Sequence, residues 1–183
     1  WDNFKSSQFN GAKITVAPIE YLPDTVTTIW KNFRYQQYYN CKNLTSYVEI
    51  PLPSSVTSIW EGFRDMQMMK CTGLTDYTEA WFNSLSLYKG RNYQFGDCTN
   101  LKNVQLIWNN KGSSWRFSQF SNAWNADSPM TIKIISDIID APSSDFKLTD
   151  SNVEKIYVPL NLLGWYKVSP WWNRISSEKF IWY

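Results

Sequence analysis

LPDTVTTIWKNFRYQQYYNCKNLTSYVE (residues 22–49) is written out again thirty residues later as LPSSVTSIWEGFRDMQMMKCTGLTDYTE (52–79), without a gap. The two stretches agree at 14 of 28 positions, among them Trp30/Trp60, Phe33/Phe63, Arg34/Arg64, Cys41/Cys71 and Leu44/Leu74. A fixed period of this length is the signature of stacked repeats, each burying its apolar face against its neighbours.

Each copy holds two short runs that read as strands. Val26–Ile29 follows Leu22-Pro23, and Tyr47–Ile50 ends at Pro51; Val56–Ile59 and Leu74–Ala80 are their counterparts. β-Branched and aromatic residues bounded by Pro and polar turns favour that assignment. Repeats are therefore placed at 22–51 and 52–80, with a third at 81–108 running from Ser84–Tyr88 through Cys98 to Leu106. A fourth, at 109–135, keeps Trp115, Arg116, Gln119 and Phe120, puts Ala123 where Cys belongs, and passes into Thr131–Ile135. Residues 136–150 read as irregular. The segment 151–183 reads as a closing unit: a strand over Asn152–Pro159, a helix over Leu160–Val168, and a last strand over Glu178–Trp182. Residues 1–21 show no match to the repeat on this reading and are expected to cap its first edge, with Ile14–Val16 a short strand. The expected fold is one mainly-β domain.

Composition narrows the function. With 18 Lys+Arg against 16 Asp+Glu there is no bulk charge to draw the chain to nucleic acid or anionic lipid. Trp, Tyr and Phe make 17% of the residues, far too many for a disordered chain. No apolar run reaches the ~20 residues that span a bilayer. The chain opens on Trp1, which reads as a processed protein or a piece of a larger one. Histidine is absent, and with it the commonest general base and any His-bearing metal site. Asp137/Asp140 and Asp145/Asp150 are acidic pairs of the kind usually found solvated in loops, and there is no Gly-rich phosphate loop and no GxSxG. The expectation is a protein that is not an enzyme, with no cofactor and no metal. The three cysteines hold one place in the repeat (NCKNLT, KCTGLT, DCTNLK) and read as a ladder of small buried thiols.

CKNLTS, IPLPSSVTSI, CTGLTD, CTNLKNV and EKIYVPLNLL resemble the BspA-like leucine-rich repeats of bacterial surface proteins, and IYVPLNLLGWYKVSPWWNRISSEKF resembles that family's ending. The resemblance covers about residues 22–108 and 150–183. It implies a leucine-rich-repeat solenoid of short strands and turns with a strand-helix-strand cap. It also implies display outside the cell, on a cell surface or a virion, and binding to proteins or other surface molecules, with similar modules in phage structural proteins. Related repeats commonly read Val-Thr-x-Ile-Gly, whereas Trp30 and Trp60 follow the Ile here, and these repeats are longer between Ile and Cys. Tryptophan at such a place must point outward or reshape the turn.

A second pattern lies in that lengthened segment. Arg34/Gln37, Arg64/Gln67, Arg91/Gln94 and Arg116/Gln119 are all Arg-x-x-Gln, seven residues before Cys or, in the fourth, before Ala123. Stacking brings such residues into a column one strand spacing apart, about 4.7–4.9 Å. Like charges so close need something negative or π-rich between them. In one reading the arginines pair with Glu49 and Glu79 or stack on aromatic rings, and the glutamines satisfy turn backbone. In the other, these eight residues with Trp30, Trp60 and Tyr35 form a contact strip for a protein or glycan. Replacing Arg64 and Arg91 by Ala would then weaken binding with little change in melting temperature. Trp30 and Trp60, side by side and exposed, would make a platform for sugar faces or an anchor at a protein interface. The function expected is that of an extracellular or surface-displayed binding module. The alternative is a structural subunit of a tail, fibre or filament, and a weaker third is reading of single-stranded nucleic acid one base per repeat.

Overall fold

A computed structural model describes residues 2–60, 62–79, 92–108, 118–123, 125, 127–136, 148–169 and 172–183. The protein is mostly strands with few helices. Strands β1 (Thr28–Ile29), β2 (Ser46–Val48), β3 (Ser58–Ile59), β4 (Asp76–Thr78), β5 (Asn103–Trp108), β6 (Met130–Ser136), β7 (Val153–Val158) and β8 (Phe180–Trp182) form two open sheets. Their order is β1-β3 in one and β2-β4-β5-β6-β7-β8 in the other, and every pairing is parallel. Parallel neighbours in sequence order are what direct repetition demands, since each strand must be reached by a return crossing.

Register follows the repeat. Ser46 lies opposite Asp76 and Asp76 opposite Asn103; Tyr47, Tyr77, Val104, Ile132, Ile156 and Phe180 form one row across the six strands. All six members of the row are buried. Strands β1 to β4 are shorter than the β-rich runs suggested, with Leu-Pro turns before β1 and β3 and Cys-x-x-Leu turns before β2 and β4, whereas β6 is longer than Thr131–Ile135.

The segments between the small and the large sheet have an unusual backbone. Asn32, Arg34, Gln36 and Asn40 all have φ between 51° and 60°, and Arg64, Met66 and Lys70 repeat this one unit later. Turns close around them, with the Tyr35 N–H donating to Asn32 O, Gln37 to Arg34 O, Tyr39 to Gln36 O and Cys41 to Tyr38 O. The intervening N–H groups of Gln36, Tyr38 and Asn40 donate across to the carbonyls of Asp65, Gln67 and Met69. A left-handed residue with a side chain costs roughly 1–2 kcal/mol, and the cross-unit hydrogen bonds offset that cost. The alternation sets the inside pattern: Phe33 and Arg34, then Gln37 and Tyr38, then Cys41 are buried. Inward residues thus come as adjacent pairs every four positions, and not on every second residue as in a strand.

Residues 2–20 belong to this scheme, which corrects the expectation that they lie outside the repeat. Asn3, Lys5 and Ser7 also have positive φ, and Asn3, Ser7, Phe9 and Gly11 donate to the carbonyls of Lys31, Tyr35, Gln37 and Tyr39. Phe4 stacks on Phe33 at 5.8 Å, Phe33 on Phe63 at 5.9 Å, and Phe9 on Tyr38 at 5.3 Å. Val16 bridges to Ser46 in parallel.

The opposite end is closed by side chains. A 3-10 turn (Leu160–Leu162) runs into α1 (Leu163–Val168), and Leu162, Tyr166, Trp172 and Phe180 are buried there. Trp172 lies 5.8 Å from Tyr166 and edge-on to Phe180 at 5.6 Å. Asp150 is tied to this end by the Ser176 N–H (2.7 Å) and by Lys179 (2.9 Å). The Ser176 N–H, with Lys179 second, holds the Asp150 carboxyl down at a pKa of about 2. Trp171, the Ser84–Tyr88 run and the acidic residues Asp137, Asp140 and Asp145 lie outside the described residues.

Cys41, Cys71 and Cys98 are free thiols in the core. Each donates to a carbonyl of the preceding unit: Cys41 to Phe9 O (2.8 Å), Cys71 to Tyr38 O (2.9 Å) and Cys98 to Met68 O (2.9 Å). Burial pushes the Cys71 thiol up to about 12 and Cys98 well above the ordinary value.

Candidate functional site

The Arg-x-x-Gln residues that are described come together, but inside the protein. Arg34 and Arg64 are 2% and 0% exposed, and Gln37, Gln67, Gln94 and Gln119 are at or below 1%. Arg91 and Arg116 lie outside the described residues. As a contact strip these six side chains are therefore corrected: none can reach a partner. The cause is the left-handed conformation of Arg34 and Arg64, which turns each guanidinium to the same side as the phenylalanine before it.

Alternating charge makes this burial tolerable. Glu49 sits between Arg34 (3.2 Å) and Arg64 (2.7 Å), and Arg64 also meets Glu79 at 2.6 Å. The second oxygen of Glu79 accepts the Ile107 N–H at 2.6 Å. Lys5 and Glu20, 3.0 Å apart, are the first members of the same two columns, since Lys5/Glu20, Arg34/Glu49 and Arg64/Glu79 share one spacing of fifteen residues. Arg34 and Arg64 lie over Phe33 and Phe63, at 5.3 and 4.2 Å from the ring centres. Buried charges persist only when paired and hydrogen-bonded to this extent.

The glutamines bond to one another rather than to turn backbone. Gln119 donates to Gln94 (2.9 Å), Gln94 to Gln67 (3.4 Å), Gln67 to Gln37 (3.1 Å) and Gln37 to Gln8 (3.2 Å). Both Gln8 (2.8 Å) and Gln37 (3.0 Å) also donate to Glu20. A carboxylate can only accept, so Glu20 sets the orientation of the first amides and each then orients the next. Gln94 further donates to the Tyr77 hydroxyl at 3.0 Å, and burial raises the pKa of that hydroxyl well above its usual value.

Trp30 and Trp60 remain at the surface, 39% and 51% exposed, with ring centres 5.4 Å apart and planes at 39°. They follow β1 and β3, the paired strands of the small sheet, which puts the two indoles side by side. Beside them an open hollow of about 240 Å³ is lined by Thr25, Val26, Thr27, Thr28 and Trp30. Tyr35 lies apart, half-buried, its hydroxyl 3.7 Å from the Met66 sulfur. The hollow's lining is thus uncharged: the Trp30 indole, Val26 and three threonines, with the exposed Asp24 and Lys31 next to it in sequence.

Sequence reasoning missed Lys5, Gln8 and Glu20. Their signal is Trp1-x-Asn-Phe4-Lys5-x-x-Gln8, which matches Trp30-x-Asn-Phe33-Arg34-x-x-Gln37. Among the described residues no group of His, Cys, Asp and Glu could hold a metal ion, and no helix is long and apolar enough to cross a membrane. Comparison with protein-family models, with curated proteins and with solved structures finds no match for this chain.

Proposed function

We propose that this chain is a binding module built as a leucine-rich-repeat-like solenoid and displayed outside the cell, recognising a glycan or a protein through Trp30 and Trp60. The observation that carries the reading is the paired exposure of the two indoles. Two large apolar rings kept partly in water forgo burial worth about 1.5–3 kcal/mol for a large apolar side chain. Flat aromatic faces with hydroxyls alongside suit the alternating C–H and O–H surface of a sugar ring, or an apolar anchor from a protein. The buried Arg and Gln columns serve this surface by holding successive units in register.

Glycan and protein arrays probed with the chain and with Trp30→Ala/Trp60→Ala test the reading. Binding by the parent that falls at least about tenfold in the variant, at unchanged melting temperature, supports it. Equal binding by both would overturn the assignment to this pair. The second reading, a structural subunit of a larger assembly, is favoured by the first unit, whose outer side no described residue covers.

A further inference from the structure

The outer side of residues 2–12 has the hydrogen-bonding pattern of an interior face. Within the repeat, each turn segment accepts from the unit before it along a row of carbonyls: Lys31, Tyr35, Gln37 and Tyr39 in the second unit, and Asp65, Gln67 and Met69 among the described residues of the third. The equivalent carbonyls in the first unit are those of Asp2, Ser6, Gln8 and Asn10, and none accepts a hydrogen bond from a described residue. The one donor in the row behaves alike. The Arg34 and Arg64 N–H groups donate back to Phe4 O and Phe33 O, while the Lys5 N–H has no such acceptor among the described residues. Phe9, outermost of the ring column that continues through Tyr38 and Tyr47, is only half-buried. Lys5 meets Glu20 of its own unit, as Arg34 meets Glu49 of its own, and Arg64 meets the carboxylates of its own unit and of the one before.

We propose that this side docks one further unit of the same repeat, running in the same direction. That unit supplies four N–H groups to Asp2, Ser6, Gln8 and Asn10, a carbonyl to Lys5 and an aromatic ring to Phe9. It also extends the column of Glu20, Glu49 and Glu79 by one carboxylate. A second copy meeting the first edge to edge does not fit, because four carbonyls would face four carbonyls. The far end of a second copy does not fit either, since it is a strand-helix-strand unit without the Phe-Arg-x-x-Gln pattern. An open edge of this kind is what repeat proteins otherwise cover with an atypical terminal unit.

Trp1, Trp30 and Trp60 are equivalent in the sequence, so a copy of residues 30–59 joined directly before Trp1 presents a unit at the natural spacing. A matched extension, in which the copies of Phe33, Arg34, Gln37 and Tyr38 are changed to Ser, gives the reference. The intact extension should raise Tm by about 5 °C over the reference and slow hydrogen exchange at the Lys5 amide by about tenfold or more. Equal Tm and equal Lys5 exchange in the two extended chains would overturn the proposal. So would an unextended chain that dimerises and thereby protects the Lys5 amide, because the occupant would then be a second copy.

Discussion

Replacing Arg64 by Met tests whether the charge column holds the protein together. Arg64 is wholly buried, lies 2.7 Å from Glu49 and 2.6 Å from Glu79, and covers the Phe63 ring at 4.2 Å. Methionine keeps most of the packing over that ring but leaves two carboxylates, each 0% exposed, without their shared cation. Each keeps something: Glu49 retains Arg34 at 3.2 Å, and Glu79 retains the Ile107 N–H. The full desolvation penalty is therefore not reached, and the expected loss is about 3–5 kcal/mol, the range for a buried pair deprived of one partner. At about 2–4 °C per kcal/mol for a chain of this size, Tm falls by roughly 6–20 °C. Urea titration followed by tryptophan fluorescence should show a lower midpoint at unchanged slope. The double variant Arg64→Met/Glu79→Gln should be less destabilised than the sum of its single changes, by about 1–3 kcal/mol. A single variant within about 1 kcal/mol of the parent would refute the reasoning, because that is the behaviour of an ion pair in water. This expectation reverses the one the contact strip implied.

Gln67→Leu removes the middle of the amide ladder and leaves the Gln37 carbonyl without the donor it had at 3.1 Å; a cost of about 1–3 kcal/mol by urea titration is expected. With burial holding the Cys71 thiol near 12 and Cys98 well above its ordinary value, neither should react with iodoacetamide at pH 8 in the folded protein, and both should react in urea. Mass spectrometry of the alkylated chain checks this, and rapid native labelling at Cys98 would contradict the burial. Asp150 is lowered in the folded state, so its contribution is complete above about pH 4 and is lost as pH falls toward 2. Asp150→Asn should therefore lower Tm at pH 7 and match the parent near pH 2, as read by thermal melts across that range.

Direct repetition made much of the fold legible. Trp30/Trp60, Tyr47/Tyr77 and the cysteine series are rows because their neighbours in sequence are the same, and the parallel registers carry that through. What sequence left open was which way each row points. A strand or a helix would have given the direction from its period, but Asn32, Arg34 and Gln36 alternate into left-handed conformation, and no such period applies. Hence Arg34 lies beside Phe33 inside, where two adjacent residues of a strand would face opposite ways. The first unit escaped notice because Lys5 replaces Arg and Ala12 replaces Cys, removing the letters that marked the others. The charge column could have been read from the fifteen-residue interval between each cation and its glutamate.

The amide ladder carries a lesson about how such a chain grows. Each interior glutamine, Gln37, Gln67 and Gln94, receives on one flank and gives on the other, always in the same sense, so any interior rung can follow any other. Whole units can be duplicated or excised by recombination, and the flanking amides still meet oxygen to nitrogen. A unit inserted backwards would bring like against like. That freedom gives a physical reason why the sequence tolerates head-to-tail copies of itself while fourteen of twenty-eight letters stay the same.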